Sequence, residues 1–248
     1  MKKINPLIKL SIGLAAGLLV LIGLFYWFNG RAPSTQKVAD EAEQLKAANA
    51  KVLANLGAGQ VVKVRPIDKE DFVLGASGAA TELIVYLDFD CPFSQQFFPV
   101  LKQANDAFGK NLSIAWRHYP LDSHPGALVS AQAFECAREQ GQAVPMARAL
   151  FDNQAKNDNN TEGILAAARA LGLKEAAFKN CLTSGKYQEK ILAQKEEAKL
   201  FGVNGTPTSF LNGVNLPGAY QFADFSDATG RRYDGLKTLI SKEITANK

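Results

Sequence analysis

Hydrophobic positions along the chain fall into three regimes. Leu10 to Phe28 is 19 residues without a charge, and Leu7 and Ile8 extend it with only Lys9 between. At 1.5 Å per residue such a helix spans a hydrocarbon core of about 30 Å. Tyr26 and Trp27 stand at its far end, where amphipathic aromatics favour the membrane interface. From Lys37 to Leu56 the apolar positions Val38, Ala42, Leu45, Val52 and Leu56 repeat with helical spacing. From there on the spacing alternates between strand and helix periods, which marks a globular domain.

Within that domain Glu82 to Phe89 is β-branched and apolar and predicts a buried strand. Pro92 to Phe108 carries Phe93, Phe97, Val100, Leu101, Ala104 and Phe108, an apolar helical face, with Pro92 suited to the first turn. Leu112 to Tyr119 predicts a second strand, and the three together form a βαβ unit with parallel strands. Residues 125–201 read as mostly helical, with helices around Leu128–Phe134, Ile164–Leu171, Ala177–Leu182 and Tyr187–Phe201. Asn157 to Thr161 reads as a polar loop. Thr208–Leu211 and Val214–Pro217 are two short strands joined by Asn212-Gly213, a strong hairpin signal. Tyr233, Leu236, Ile240 and Ile244 predict a terminal amphipathic helix.

Charge adds an orientation. Lys2, Lys3 and Lys9 precede the long apolar run and Asp40, Glu41 and Glu43 follow it, which places the N-terminus in the cytoplasm and exports the rest. A cleaved signal peptide has a shorter apolar region ending in small residues. This run ends in Phe25-Tyr26-Trp27-Phe28, which favours a retained anchor in the cytoplasmic (inner) membrane and a periplasmic domain. The expected organisation is a cytoplasmic segment 1–9, an anchor 10–28, a linker and stalk helix 29–60, and a domain 61–248. Val38, Leu45 and Val52 are seven apart, so the stalk reads either as a solvated helix or as a seam for homo-oligomers. The net charge of +4, without a Lys/Arg tract or a phosphate-cradling loop, gives no support for nucleic-acid binding. Two histidines without spaced cysteine or carboxylate partners make a poor metal site.

Composition supplies one more clue: three cysteines in an exported chain, an odd number where disulfides form. Cys91 comes directly after the first strand, and Pro92, Phe93 and Ser94 open the helix. Unpaired N–H groups and the positive end of the helix dipole favour a thiolate there, which makes Cys91 a candidate nucleophile.

Cys91-Pro92-Phe93-Ser94 resembles the C-P-x-C site of the DsbA-like thioredoxin-fold oxidoreductases. The segments VYLDFDCPFSQQF, WRHYPLDSHPGA, ECAREQG and GVNGTPTSFLNG resemble the same family, from about Ile67 to Lys248. The resemblance implies an α/β thioredoxin fold with a helical insertion, here preceded by a transmembrane helix and a stalk. It implies that Cys91 is the catalytic nucleophile and that Thr206-Pro207 is a cis-proline loop whose backbone pairs with substrate. The resemblance makes Asp88 and His118 candidates for tuning proton movement, although for His118 and His124 alike a hydrogen-bonded structural role is favoured over that of a catalytic base. His124 also matches a family position, whereas Asp90 reads equally well as solvated, and strand alternation puts both aspartates on one face. Cys136 and Cys181 resemble a pair that serves as a structural bridge. Two free thiols, or a bridge rerouted to Cys91, stay open.

The sequence departs from the family at Ser94, where the second active-site cysteine stands in relatives. A hydroxyl cannot resolve a mixed disulfide. Three readings follow: a monothiol exchange protein acting on exported proteins with an external thiol or redox partner, a redox-inactive peptide-binding or assembly module, or a dithiol oxidase carrying a substrate-trapping Ser94. Thiol exchange itself needs no cofactor.

Overall fold

The computed structural model describes residues 61–156 and 158–247. The membrane span expected at 10–28 and the stalk helix at 37–56 lie outside the described residues. Among the described residues no helix is long and apolar enough to cross a membrane.

The apolar run after Ala80 forms β2 (Thr81–Leu87), buried on both faces: Leu83, Val85 and Leu87 on one, Ile84 and Tyr86 on the other. It pairs in parallel with β3 (Leu112–His118), from Thr81 opposite Leu112 to Leu87 opposite His118. The connection is α1 (Pro92–Phe108), which buries Phe97, Phe98, Leu101 and Ala104. Both strands are therefore central and near-continuously apolar, as parallel strands under helices require. β1 (Phe72–Gly75) lies antiparallel to β3 on one side. β4 (Thr208–Leu211) and β5 (Val214–Pro217) continue the sheet on the other, in the order β1-β3-β2-β4-β5. Asn212 and Gly213 have φ of +46° and +85°, the two positive values that a tight hairpin turn of this twist demands.

Between β3 and β4 the chain inserts five helices: α2 (Ala127–Arg138), α3 (Ala143–Gln154), α4 (Thr161–Ala170), α5 (Glu175–Thr183) and α6 (Gln188–Leu200). Four of them correspond to the sequence expectation. α3 does not, although Ala143, Met146, Ala147, Leu150 and Phe151 are buried at helical spacing. Pro145 disguises it, yet it sits in the first turn, where a missing N–H costs little. β1 was also unforeseen, because four residues beside a glycine loop carry too short a pattern. A two-stranded sheet of β6 (Phe225–Ser226) and β7 (Arg232–Tyr233) takes Tyr233 away from the terminal helix, which runs instead as α7 (Leu236–Ala246).

A disulfide joins Cys136 of α2 to Cys181 of α5 and leaves Cys91 free. Closing a loop of 45 residues contributes about 4 kcal/mol in the chain-entropy picture. The opposite face of the sheet carries a buried polar knot. Arg117, fully enclosed, donates to Asp71, Tyr86, Glu197 and the carbonyls of Arg65 and Pro66.

Candidate functional site

The site forms where β2 hands over to α1. Cys91 is the N-cap of α1 in extended conformation (φ −87°, ψ 120°), with Pro92 in the first turn. Its carbonyl accepts from Gln95 N at 3.0 Å, so the helix begins at the cysteine itself. The residue is only 2% exposed, whereas the neighbouring Phe93 is 58% exposed. The thiol donates to Thr206 O at 3.2 Å. The Thr206-Pro207 peptide is cis, and β4 starts at the next residue. The sheet thus brings together Cys91 and Thr206-Pro207, residues 115 apart in sequence.

Ser94 is buried one turn into α1, and its Oγ accepts from Asp88 N at 3.4 Å. This one long backbone contact is the hydroxyl's hydrogen bond among the described residues, on the inner side of the turn.

Asp88 and His118 are directed to different partners. Asp88 is buried; its carboxylate accepts from Asp90 N (2.7 Å) and Leu121 N (3.0 Å) and pairs with His124 Nδ1 at 2.8 Å. Burial pushes its pKa up, opposed by those hydrogen bonds. This carboxyl ties the turn after β2 to the loop after β3, directly behind the Cys91 turn. His118 faces α2: its Nε2 lies 2.9 Å from Glu135 Oε1, and its backbone N donates to Gln194 Oε1. Burial works against the charge on Glu135, but the His118 contact and the nearby Lys190 outweigh it and hold the carboxyl down at about 2.

That depression has a sign. A carboxylate with a lowered native pKa stabilises the fold above its unfolded value and loses this contribution as pH falls through the native one. For Glu135 the window runs from 4.5 down to about 2, and the contribution is about 3 kcal/mol. Glu135→Gln should remove that part of the acid-induced loss, read as a flatter dependence of urea midpoint on pH in this range. An unchanged profile would mean that the pair carries no net stability.

Asp90 differs from its expected description. The strand ends at Leu87, so alternation no longer governs it, and it is half-buried rather than simply solvated. Its Oδ1 accepts from Asn159 Nδ2 (2.6 Å) and Ser130 Oγ (3.3 Å). Asn159 belongs to the segment read as a polar loop, and it is buried. Nothing local in NDNNT distinguishes this one asparagine, because its partner lies 69 residues away.

A sequence model of the family described as thioredoxin matches residues 68–229. The chain belongs to the thioredoxin family. Its mixed α/β thioredoxin-like fold carries the helical insertion described above. Among solved structures, BdbD from Bacillus subtilis in its oxidised form aligns with a TM-score of 0.60 at 17% identity, over 75% of this chain and 99% of that one. Wolbachia pipientis alpha-DsbA1 aligns with a TM-score of 0.57 at 21% identity, over 73% and 94%. At these identities the likeness is one of fold. By sequence, the chain is 32% identical over 173 residues to the Na(+)/H(+) antiporter NhaA 1 of Mycolicibacterium vanbaalenii, which is 68% of this chain and 28% of that protein. The chain therefore spans well under half the length of this curated relative.

Proposed function

We propose that this thioredoxin-family chain is a membrane-anchored, monothiol thiol–disulfide exchange protein acting on exported proteins. One observation carries the reading: a free thiol at the start of α1, hydrogen-bonded to the carbonyl that precedes Pro207. The Cys91 thiolate attacks one sulfur of a substrate disulfide. The substrate S–S bond breaks, a Cys91–substrate disulfide forms, and the released thiolate takes up a proton. An external thiol, as thiolate, then attacks the substrate sulfur and Cys91 leaves as thiolate. Ser94 supplies no sulfur for an internal second step. The N-terminal apolar run and its flanking charges support the anchor, the periplasmic side and the class of substrate. The backbone beside Thr206 supports pairing with an extended substrate strand.

The burial of Cys91 favours a second reading, peptide binding without chemistry. Intact-mass analysis after incubation with a disulfide-linked peptide separates the two. The exchange reading expects one peptide adduct per chain, mapped to Cys91, and none in Cys91→Ala. No adduct on the unaltered protein would leave only the binding reading.

A further inference from the structure

Beside the nucleophile's turn the structure holds a cleft of about 430 Å³, walled by Asp90, His124, Gly126, Gln154, Asn159 and Thr161. Its polar lining is unbalanced. Asp90 spends Oδ1 on Asn159 and Ser130, and its Oδ2 has no partner among the described residues. Asn159 Oδ1 and Gln154 Oε1 are buried acceptors without a donor. A desolvated acceptor left unmade costs about 1–3 kcal/mol, which a donor entering the cleft would offset. Space for that donor depends on Gly126: a Cβ there would stand 2.4 Å from Asp90 Oδ2 and 2.8 Å from Asn159 O. The N-terminus of α4 also opens here, but its positive end is already answered. Asn160 Oδ1 accepts from Gly163 N, and Glu162 lies in the first turn.

We propose that this cleft is a specificity subsite for the ammonium or guanidinium side chain of a lysine or arginine flanking the reactive cysteine of a polypeptide substrate. The proposal rests on the exchange reading above and names the substrate class. Asp90, Asn159 and Gln154 all stand on the wall, and a free carboxylate oxygen beside two amide acceptors without donors favours a cation over an anion. Asp90, on the cleft wall, precedes Cys91 directly, so the two Cα atoms stand about 3.8 Å apart, and the proposal places the residue that flanks the substrate cysteine in this cleft.

The test uses short peptides whose cysteine is capped as a disulfide with a chromophoric aryl thiol, with lysine, alanine or glutamate as the flanking residue. Attack by Cys91 transfers the peptide to the protein and releases the aryl thiolate. The lysine peptide should react about tenfold faster than the alanine peptide, a difference of 1.4 kcal/mol, and the glutamate peptide more slowly than either. Asp90→Asn should bring the lysine-to-alanine ratio close to one. Gln154→Lys, which seats a resident ammonium at the rim, should do the same and stands in if Asp90→Asn fails to fold. A ratio near one in the unaltered protein, or a ratio kept in both variants, overturns the subsite. If no peptide reacts at all, the exchange reading fails. The cleft is then judged by NMR with a lysine peptide carrying serine for cysteine. A shift of the Asn159 side-chain amide that Gln154→Lys abolishes supports the subsite, and no shift overturns it.

Discussion

Ser94→Cys is expected to turn a slow, stoichiometric thiol into a turning-over dithiol, with insulin reduction by a small-thiol reductant rising roughly a hundredfold or more. The physical reason is the origin of the second sulfur. On the proposed exchange reading, a mixed disulfide on Cys91 of the present chain waits for an external thiol, at whatever concentration that thiol has. A cysteine at position 94 supplies it from the same helical turn. Position 94 suits the change: it is buried, three residues after the N-cap, and its hydroxyl makes one long contact, to Asp88 N at 3.4 Å. Exchanging oxygen for sulfur there loses little, and the C-x-x-C spacing brings the two sulfurs onto one turn. The variant should also acquire a reducible internal disulfide, seen as two fewer free thiols in the oxidised protein after alkylation and mass analysis. If turnover stays at the level of the unaltered chain although that disulfide forms, the limit lies elsewhere. The buried Cys91 thiol under Thr206 is then the first place to look.

The parts of this molecule that were legible in advance are those whose signal is local. β2, α1 and β3 announce themselves through apolar period, and Asn212-Gly213 through the backbone angles it tolerates. Cys91 was legible because a strand end, a proline and a helix start follow each other directly. The cis bond at Thr206-Pro207 came from resemblance, since no local pattern distinguishes a cis from a trans X-Pro turn. What escaped was pairing at a distance. Asp88 finds His124 36 residues away, Asp90 finds Asn159 69 away, and each looks like an ordinary polar residue in its own segment. His118 is the hydrogen-bonded histidine that the sequence favoured over a catalytic base, but its partner, Glu135 on the second helix, was not legible. The cleft next to Cys91 exists only after these contacts are made, so no reading of NDNNT alone could supply it.

Arg117 is the extreme of that kind, and replacing it should have the largest effect on stability. It is the penultimate residue of the strand LSIAWRH, where the apolar run before it hides it. Its side chain has no exposure, and neither has that of Asp71, which it meets with two bonds: Nε to Oδ1 at 3.0 Å and Nη2 to Oδ2 at 2.8 Å. Glu197 and Tyr86 share the remaining nitrogen at 3.1 and 3.2 Å. Removing one partner of a buried pair costs about 3–5 kcal/mol, because the survivor keeps its desolvation penalty without its counter-charge. Against a total of about 5–15 kcal/mol, Arg117→Met should lower the urea midpoint severely. The pH dependence gives the cause away. Burial works against ionised Asp71, but Arg117 outweighs it and lowers the native pKa. In the unaltered protein this carboxylate therefore adds stability above its unfolded value of about 3.9 and loses it as pH falls. In Arg117→Met, Arg65 at 3.2 Å is the only cation left to Asp71 among the described residues. Burial then pushes the pKa up, and acidification should relieve the strain instead of adding to it. The stability gap between the two proteins should be widest near neutrality and shrink below about pH 4. Arg117→Met/Asp71→Leu should recover part of the loss, since it removes the stranded charge along with its partner. A cost under about 1 kcal/mol, or a gap that does not move with pH, would mean that Arg117 acts by filling space and that the ion pair is close to neutral.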